Sequence, residues 1–138
     1  MTADERAFVV STFASNYRRR SEVRSDEVWR RCVLGPFERV LPMLDVRIAG
    51  VPGEPGEYMG WSASHGETLF YCFVKKDYRG RKIGRSLLPL RIEYLAFQTI
   101  DGRAFLHACG QGATPRPWAA FDLIAEAAAQ PSPYSGSP

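Results

Sequence analysis

The sequence lacks a long apolar segment, and no run approaches the roughly 20 residues that a membrane-spanning helix requires. The N-terminus carries Asp4 and Glu5 without an extended apolar core, so we expect neither a secretory signal nor a membrane partner. Of the 138 residues, 45% are hydrophobic and 24% are charged, a balance typical of a folded domain. We therefore predict one domain over residues 1–130, followed by a disordered tail over residues 131–138.

Cysteine and histidine are scarce, with three and two residues respectively. The odd number and wide spacing of Cys32, Cys72 and Cys109 argue against a disulfide framework and against a zinc site. We expect reduced thiols, no bound metal and a cytoplasmic protein. The net charge of +3 is too small to indicate a nucleic-acid partner by itself. The Gly-x-x-x-x-Gly-Lys-Ser/Thr pattern of phosphate-loop nucleotide hydrolases does not occur.

The most informative feature that is present is a basic turn over residues 79–85. It follows the apolar run of residues 69–74 and precedes a segment with helical periodicity. Four cationic residues and two glycines make up most of it: Arg79, Gly80, Arg81, Lys82, Gly84 and Arg85. Free N–H groups at a helix start, nearby positive charge and close backbone approach are what a phosphate site requires. The turn therefore predicts an anionic ligand, the alternative being a solvated basic turn.

Periodicity and capping signals predict an α/β fold. Thr2 and Ser25 are N-cap signals for a helix over about 3–18 and for a second helix, which Gly35-Pro36 interrupts. The remaining predicted elements are strands over 45–49, 58–64, 68–75 and 103–109, a helix over 82–98 kinked before Pro89, and a short helix opened by residues 114–117. The strand over 68–75 is apolar on both faces, which indicates a central position. We expect a mixed sheet with helices on both faces.

With this order of elements, the chain resembles the GNAT superfamily of acyl-CoA-dependent N-acetyltransferases. The family's pyrophosphate motif is Gln/Arg-x-x-Gly-x-Gly/Ala. Arg79 fills its first place and Gly84 its last, whereas Lys82 stands where the internal glycine is usual. Small GNAT-like proteins of bacteria and their phages are similar in having a helical start. The family usually ends in a two-stranded hairpin, for which only residues 131–138 are left, so we expect that hairpin to be lacking.

The resemblance implies an N-acetyltransferase that moves an acetyl group from acetyl-CoA to a primary amine by direct attack. The amides of residues 80–84 would hold the pyrophosphate, and backbone groups near Phe73 and Val74 would pair with the pantetheine arm. The implied cofactor-binding residues are Phe73, Val74, Arg79, Gly80, Arg81, Lys82, Ile83 and Gly84. Without the hairpin, three alternatives are open. A partner in a homodimer could complete the acceptor site, or that site could be open to solvent. The third alternative is a protein without catalysis, which binds or regulates a host macromolecule or nucleic acid.

Glu67 and Tyr71 are the candidate catalytic residues. Glu67 stands near the start of the central strand, where some family members carry a general base. Tyr71 could replace the family's usual tyrosine, which protonates the departing thiolate. The alternatives are an exposed hairpin glutamate and a packed core tyrosine. The basic run over residues 18–24 is either a solvated helix end or a patch for an acidic acceptor or nucleic acid.

Overall fold

A computed structural model describes residues 1–129, which form a mixed α/β domain. The helices are α1 (Ala3–Arg20), α2 (Asp26–Trp29), α3 (Gly35–Val40), α4 (Ile83–Leu87), α5 (Ile100–Ala108) and α6 (Ala119–Ala129). The strands are β1 (Asp45–Gly50), β2 (Tyr58–His65), β3 (Thr68–Val74), β4 (Tyr94–Leu95) and β5 (Thr114–Pro115). The prediction of a mixed α/β domain is therefore confirmed. The predicted domain end at residue 130 and the predicted tail lie outside the described residues.

The five strands form one sheet in the order β1-β2-β3-β4-β5. The first three pair antiparallel, and β3, β4 and β5 pair parallel. Gly66 and Glu67 make the tight turn between β2 and β3, and Gly66 adopts a φ of 58° there. The first three predicted strands and the central position of β3 are therefore confirmed.

Helices cover both faces of the sheet, as predicted. On one face, Phe13 of α1 and Phe37 of α3 pack with Trp61 of β2, and all three are fully buried. On the other face, Leu69 and Leu95 pack against Leu106 of α5. The sheet thus separates two apolar cores, whose burial provides most of the driving force for folding. Within residues 1–129, no helix combines the length and apolarity needed to cross a bilayer.

The first two predicted helix starts are correct. Thr2 Oγ1 accepts a hydrogen bond from the Glu5 amide at 3.1 Å, completing the capping box of α1, and Ser25 caps α2. Gly35-Pro36, however, does not interrupt the second helix. A π-helical turn over Arg30–Leu34 joins α2 to α3, with the Gly35 N–H donating to the Arg30 carbonyl. This wide turn accommodates Pro36, which has no N–H to donate.

The predicted helix over 82–98 is wrong, because α4 ends at Leu87. Leu88 is extended, with φ −74° and ψ 142°, since a residue before proline is pushed out of the helical region. Pro89 therefore ends the helix instead of kinking it. The chain then continues to β4, a parallel partner of β3.

The predicted strand over 103–109 is also wrong, because these residues belong to α5 and its C-terminal end. Thr99 is the N-cap, and its Oγ1 accepts from the Gly102 amide at 2.9 Å. Asp101 and Gly102 thus lie in the first turn of a helix and do not end one. Residues 114 and 115 form β5, so the last helix begins later than predicted, at Ala119.

Candidate functional site

A cleft opens where β4 stops pairing with β3. The last main-chain hydrogen bond between the two segments runs from the Phe97 amide to the Phe70 carbonyl, while β3 continues to Val74. The cleft has a volume of about 600 Å³, within the usual range for small-molecule sites. Its walls come from β3, the turn after β3, the C-terminal half of α1, and α5. Early separation of two parallel strands therefore creates the cleft.

The edge of β3 that faces the cleft carries free backbone groups. The Lys75 amide donates to the Met59 carbonyl at 2.8 Å. Because backbone groups alternate in direction along an antiparallel pair, those of Cys72 and Val74 then point away from β2 and toward the cleft. Phe73 also lines the cleft, but its backbone faces Trp61 of β2 and its ring packs with Phe8 of α1. An extended ligand could add to this edge as a further strand would.

The basic turn presents a run of unpaired amides. Among residues 1–129, the N–H groups of residues 80 to 85 find no main-chain or side-chain acceptor. Gly80 and Lys82 both adopt left-handed backbone conformations, with φ of 82° and 62°. Successive amides in such a turn form a concave site for anions. Lys82 is the single non-glycine residue of the described chain with positive φ. Backbone strain of this kind concentrates at functional sites.

Cationic side chains surround these amides. Arg79, Lys82 and Arg85 line the cleft. The Arg79 Nε donates to the Val74 carbonyl at 3.0 Å, which fixes the start of the turn against the end of β3. Arg81 does not line the cleft, and its guanidinium lies 5.6 Å from the centroid of the Tyr78 ring. The short α4 supplies only a small dipole, so the free amides and these side chains carry the positive potential.

Gly84 has a packing role. A Cβ placed on it would lie 3.1 Å from Cζ of Phe105 and 3.5 Å from a methyl carbon of Val74. Glycine at this position therefore lets the first turn of α4 lie against α5 and β3. The last residue of the motif holds the turn against the cleft wall.

Tyr71 and Asn16 meet at the α1 side of the cleft. Tyr71 is 4% exposed, and its hydroxyl donates to Asn16 Oδ1 at 2.5 Å. Burial raises the pKa of Tyr71, and the guanidinium groups of Arg20 and Arg79 oppose that rise. The hydroxyl is therefore protonated at neutral pH and lies within electrostatic reach of both arginines.

Arg20 and Asp101 form an ion pair between two walls of the cleft. Arg20 ends α1, Asp101 lies in the first turn of α5, and both line the cleft. Their side chains are 34% and 73% exposed. An exposed pair of this kind adds little to stability, so its two charges can exchange partners at small cost.

Two thiols also line the cleft, Cys72 on β3 and Cys109 at the C-terminal end of α5. Burial raises the pKa of the Cys72 thiol to about 12, and the neighbouring Cys109 adds to the rise. Cys72 is thus a neutral thiol at physiological pH and a poor nucleophile.

Glu67 lies outside the cleft. It occupies the turn between β2 and β3, and its carboxylate is 3.5 Å from Arg91 Nε. Its side chain is 45% exposed. This position corresponds to the hairpin glutamate that was the alternative interpretation of the sequence.

The structure brings most of the sequence-predicted residues into one place. All of them line the cleft except Glu67 and Arg81. The residues that sequence reasoning missed come from α1 and α5, namely Asn16, Asp101 and Phe105. Arg20, which also lines the cleft, was considered only as part of the basic run over residues 18–24. The cap signal at Thr99 could have identified α5 as a helix. The approach of α1 to α5 has no local signal, because Arg20 and Asp101 are 81 residues apart.

Comparison of the chain with protein-family models, with curated proteins and with solved structures gave no match.

Proposed function

We propose that the protein is an N-acetyltransferase that binds acetyl-CoA in this cleft, with the GNAT-type arrangement that its sequence resembles. One observation carries the proposal: the cleft follows the free edge of β3 and ends at a turn of unpaired amides ringed by cations. This combination suits a ligand with an extended amide-bearing arm and a diphosphate, as coenzyme A has.

The residues present fit that ligand. The amides of residues 80 to 85, with Arg79, Lys82 and Arg85, would hold the diphosphate. The outward-facing backbone groups of Cys72 and the amide of Val74 would pair with the pantetheine arm, while the Val74 carbonyl already accepts from Arg79 Nε. Phe105, whose ring lies beside Gly84, would provide apolar contact. When bound, acetyl-CoA supplies an acetyl thioester, whose transfer to an amine yields an amide, a free thiol and a proton.

The cleft also contains groups suited to the proton movements. Tyr71 stays protonated at neutral pH and could turn its hydroxyl from Asn16 to donate a hydrogen bond to a developing oxyanion, although its raised pKa makes it a weak acid toward a thiolate. Asp101 places a carboxylate on the cleft wall, where it could attract an ammonium group and help remove its proton. Glu67 does not line the cleft, and its carboxylate faces Arg91 instead.

Calorimetry with acetyl-CoA, followed by thiol release with a panel of amines, tests the proposal. Arg85→Gln should weaken binding because it removes a cation from the cleft wall. Arg39→Gln is the matched control, since Arg39 is an exposed arginine of α3 and does not line the cleft. Equal affinity of both variants, or no binding by the unaltered protein, would contradict the proposal.

A second candidate function is ligand binding without turnover, in a regulatory protein that contacts a macromolecule. The position of Glu67 outside the cleft favours it, because the expected general base is then missing from the reaction site. Tight binding of acetyl-CoA without thiol release for any amine would support this candidate over the transferase.

A further inference from the structure

The α1 side of the cleft has a chemical character of its own. Four polar side chains from three elements line it there: Asn16 and Arg20 of α1, Tyr71 of β3 and Asp101 of α5. Asn16 and Arg20 are one helical turn apart and therefore lie on the same side of α1. The hydrogen bond from Tyr71 to Asn16 and the ion pair between Arg20 and Asp101 link these groups across the cleft.

This set offers both signs of charge. Arg20 provides a guanidinium with N–H groups beyond those that face Asp101. The Asn16 side chain uses its oxygen toward Tyr71, and its Nδ2 donates to no group among residues 1–129. Both are donors suited to an anionic group. The carboxylate of Asp101 is suited to an ammonium group.

Charge balance then selects among ligands. A simple amine would bind Asp101 as a cation, compete with Arg20 and leave the guanidinium without its partner. A simple anion would leave Asp101 without its partner in the same way. A molecule with both charges replaces one ion pair by two and leaves neither side chain unpaired. Such a ligand is favoured because it gives both side chains an oppositely charged partner at the same time, with charge-assisted hydrogen bonds at each end.

We propose that the acceptor is a small zwitterion, a primary amine that carries a carboxylate on the same molecule, as in an amino acid. Asp101 binds its ammonium group, and Arg20 with Asn16 Nδ2 binds its carboxylate. The inference rests on the proposed acetyl transfer, since it names the acceptor of that same site. Loss of one amine proton permits attack of nitrogen on the thioester carbonyl. The carbon–sulfur bond then breaks, and the thiol leaves with a proton.

The test measures thiol release from acetyl-CoA with matched acceptors: free amino acids, the corresponding amino acid amides, and the amines that lack the carboxyl group altogether. The amides keep the amine and lose the negative charge. Because amidation makes the amine a weaker base, a site without carboxylate recognition would acylate the amides at least as fast as the acids. We expect at least one free amino acid to be used with a kcat/KM about tenfold or more above that of its amide.

The variants are Arg20→Gln and Arg19→Gln. Arg20→Gln should raise KM for the amino acid about tenfold, whereas kcat/KM for the amide should not fall, because Arg20 no longer competes for Asp101. Arg19→Gln is the matched control, because Arg19 is exposed on the same helix and does not line the cleft. Neither arginine is buried, so both variants should fold, and thermal unfolding checks that they do.

The outcomes distinguish failure of the zwitterion inference from failure of the acetyltransferase proposal. Equal use of acids and amides, or an Arg20→Gln effect that is the same for both, overturns the zwitterion inference and leaves the acetyltransferase standing. Failure of the unaltered protein to bind acetyl-CoA in calorimetry overturns the acetyltransferase proposal and the acceptor inference together.

Discussion

Replacing Lys82 by glycine should stabilise the fold and weaken the binding of acetyl-CoA. Lys82 has φ 62° and ψ 14°, a left-handed conformation that costs a residue with a Cβ about 1–2 kcal/mol. Glycine adopts it without that cost, but its greater freedom in the unfolded chain offsets about 0.4–1 kcal/mol of the gain. The net gain in free energy of unfolding is about 1 kcal/mol. For a chain of this size, that corresponds to a rise in Tm of about 3–5 °C.

The same substitution removes a cation from the cleft wall. An exposed charge contributes about 0.2–1 kcal/mol to an ionic contact, so affinity for acetyl-CoA should fall by up to about fivefold at low salt. The matched control is Arg81→Gly, which also exchanges a cation for glycine in this turn. Arg81 does not have positive φ and does not line the cleft. Its replacement should lower stability by about 0.5–1 kcal/mol and leave affinity nearly unchanged.

Urea unfolding without ligand and calorimetry with acetyl-CoA measure the two effects. The reasoning is refuted if both glycine variants change stability in the same direction, because Lys82 would then carry no strain. It is refuted equally if Lys82→Gly leaves the affinity untouched, because the side chain would then not face the ligand.

Three further predictions concern the cleft walls. Burial raises the pKa of the Cys72 thiol to about 12 in the folded protein, above its ordinary value near 8.5. The contribution of this thiol to the free energy of unfolding should therefore be complete below about pH 8.5 and decrease as the pH rises further, and Cys72→Ala should remove that decrease in urea unfolding between pH 7 and 10. An identical pH dependence in both proteins would contradict this. Tyr71→Phe removes the hydrogen bond to Asn16 and should cost about 1 kcal/mol in the same assay, whereas an unchanged midpoint would show that the bond contributes nothing. Gly84→Ala should lower Tm, because the added Cβ would press against the Phe105 ring. Combining it with Phe105→Leu should restore part of the loss in Tm. Additive losses in the double variant would exclude that contact as the cause.

Local patterns predicted the parts of this fold that local interactions determine. The caps at Thr2 and Ser25 and the first three strands depend on hydrogen bonds or alternation within a few residues, and all are correct. The turn over residues 79–85 was recognised for the same reason. Its glycines, charges and position after an apolar strand are contiguous in the sequence.

The errors lie after that turn, where two signals competed. Residues 82–98 have helical apolar spacing, but Pro89 removes a hydrogen bond and forces Leu88 to be extended, so the chain leaves the helix. Residues 103–109 fit either a strand or a helix, and the cap formed by Thr99 decides for the helix. In both places a single local signal, the proline in one and the N-cap in the other, determined the structure against the prediction from apolar spacing.

The polar end of the cleft could not be predicted from the sequence. Arg20 and Asp101 are 81 residues apart, and Tyr71 and Asn16 are 55 apart. Each residue alone is an ordinary helix-end or strand residue. Only the packing of α1 and α5 on opposite faces of the sheet brings them to one cleft.

Amide hydrogen exchange of residues 80 to 85, measured with and without acetyl-CoA, tests the central claim most directly. These amides have no acceptor among residues 1–129, and we expect them to exchange fast in the free protein. Saturating acetyl-CoA should slow their exchange markedly, together with that of Cys72 and Val74 at the free edge of β3. Unchanged exchange across this turn at saturating ligand would contradict the account.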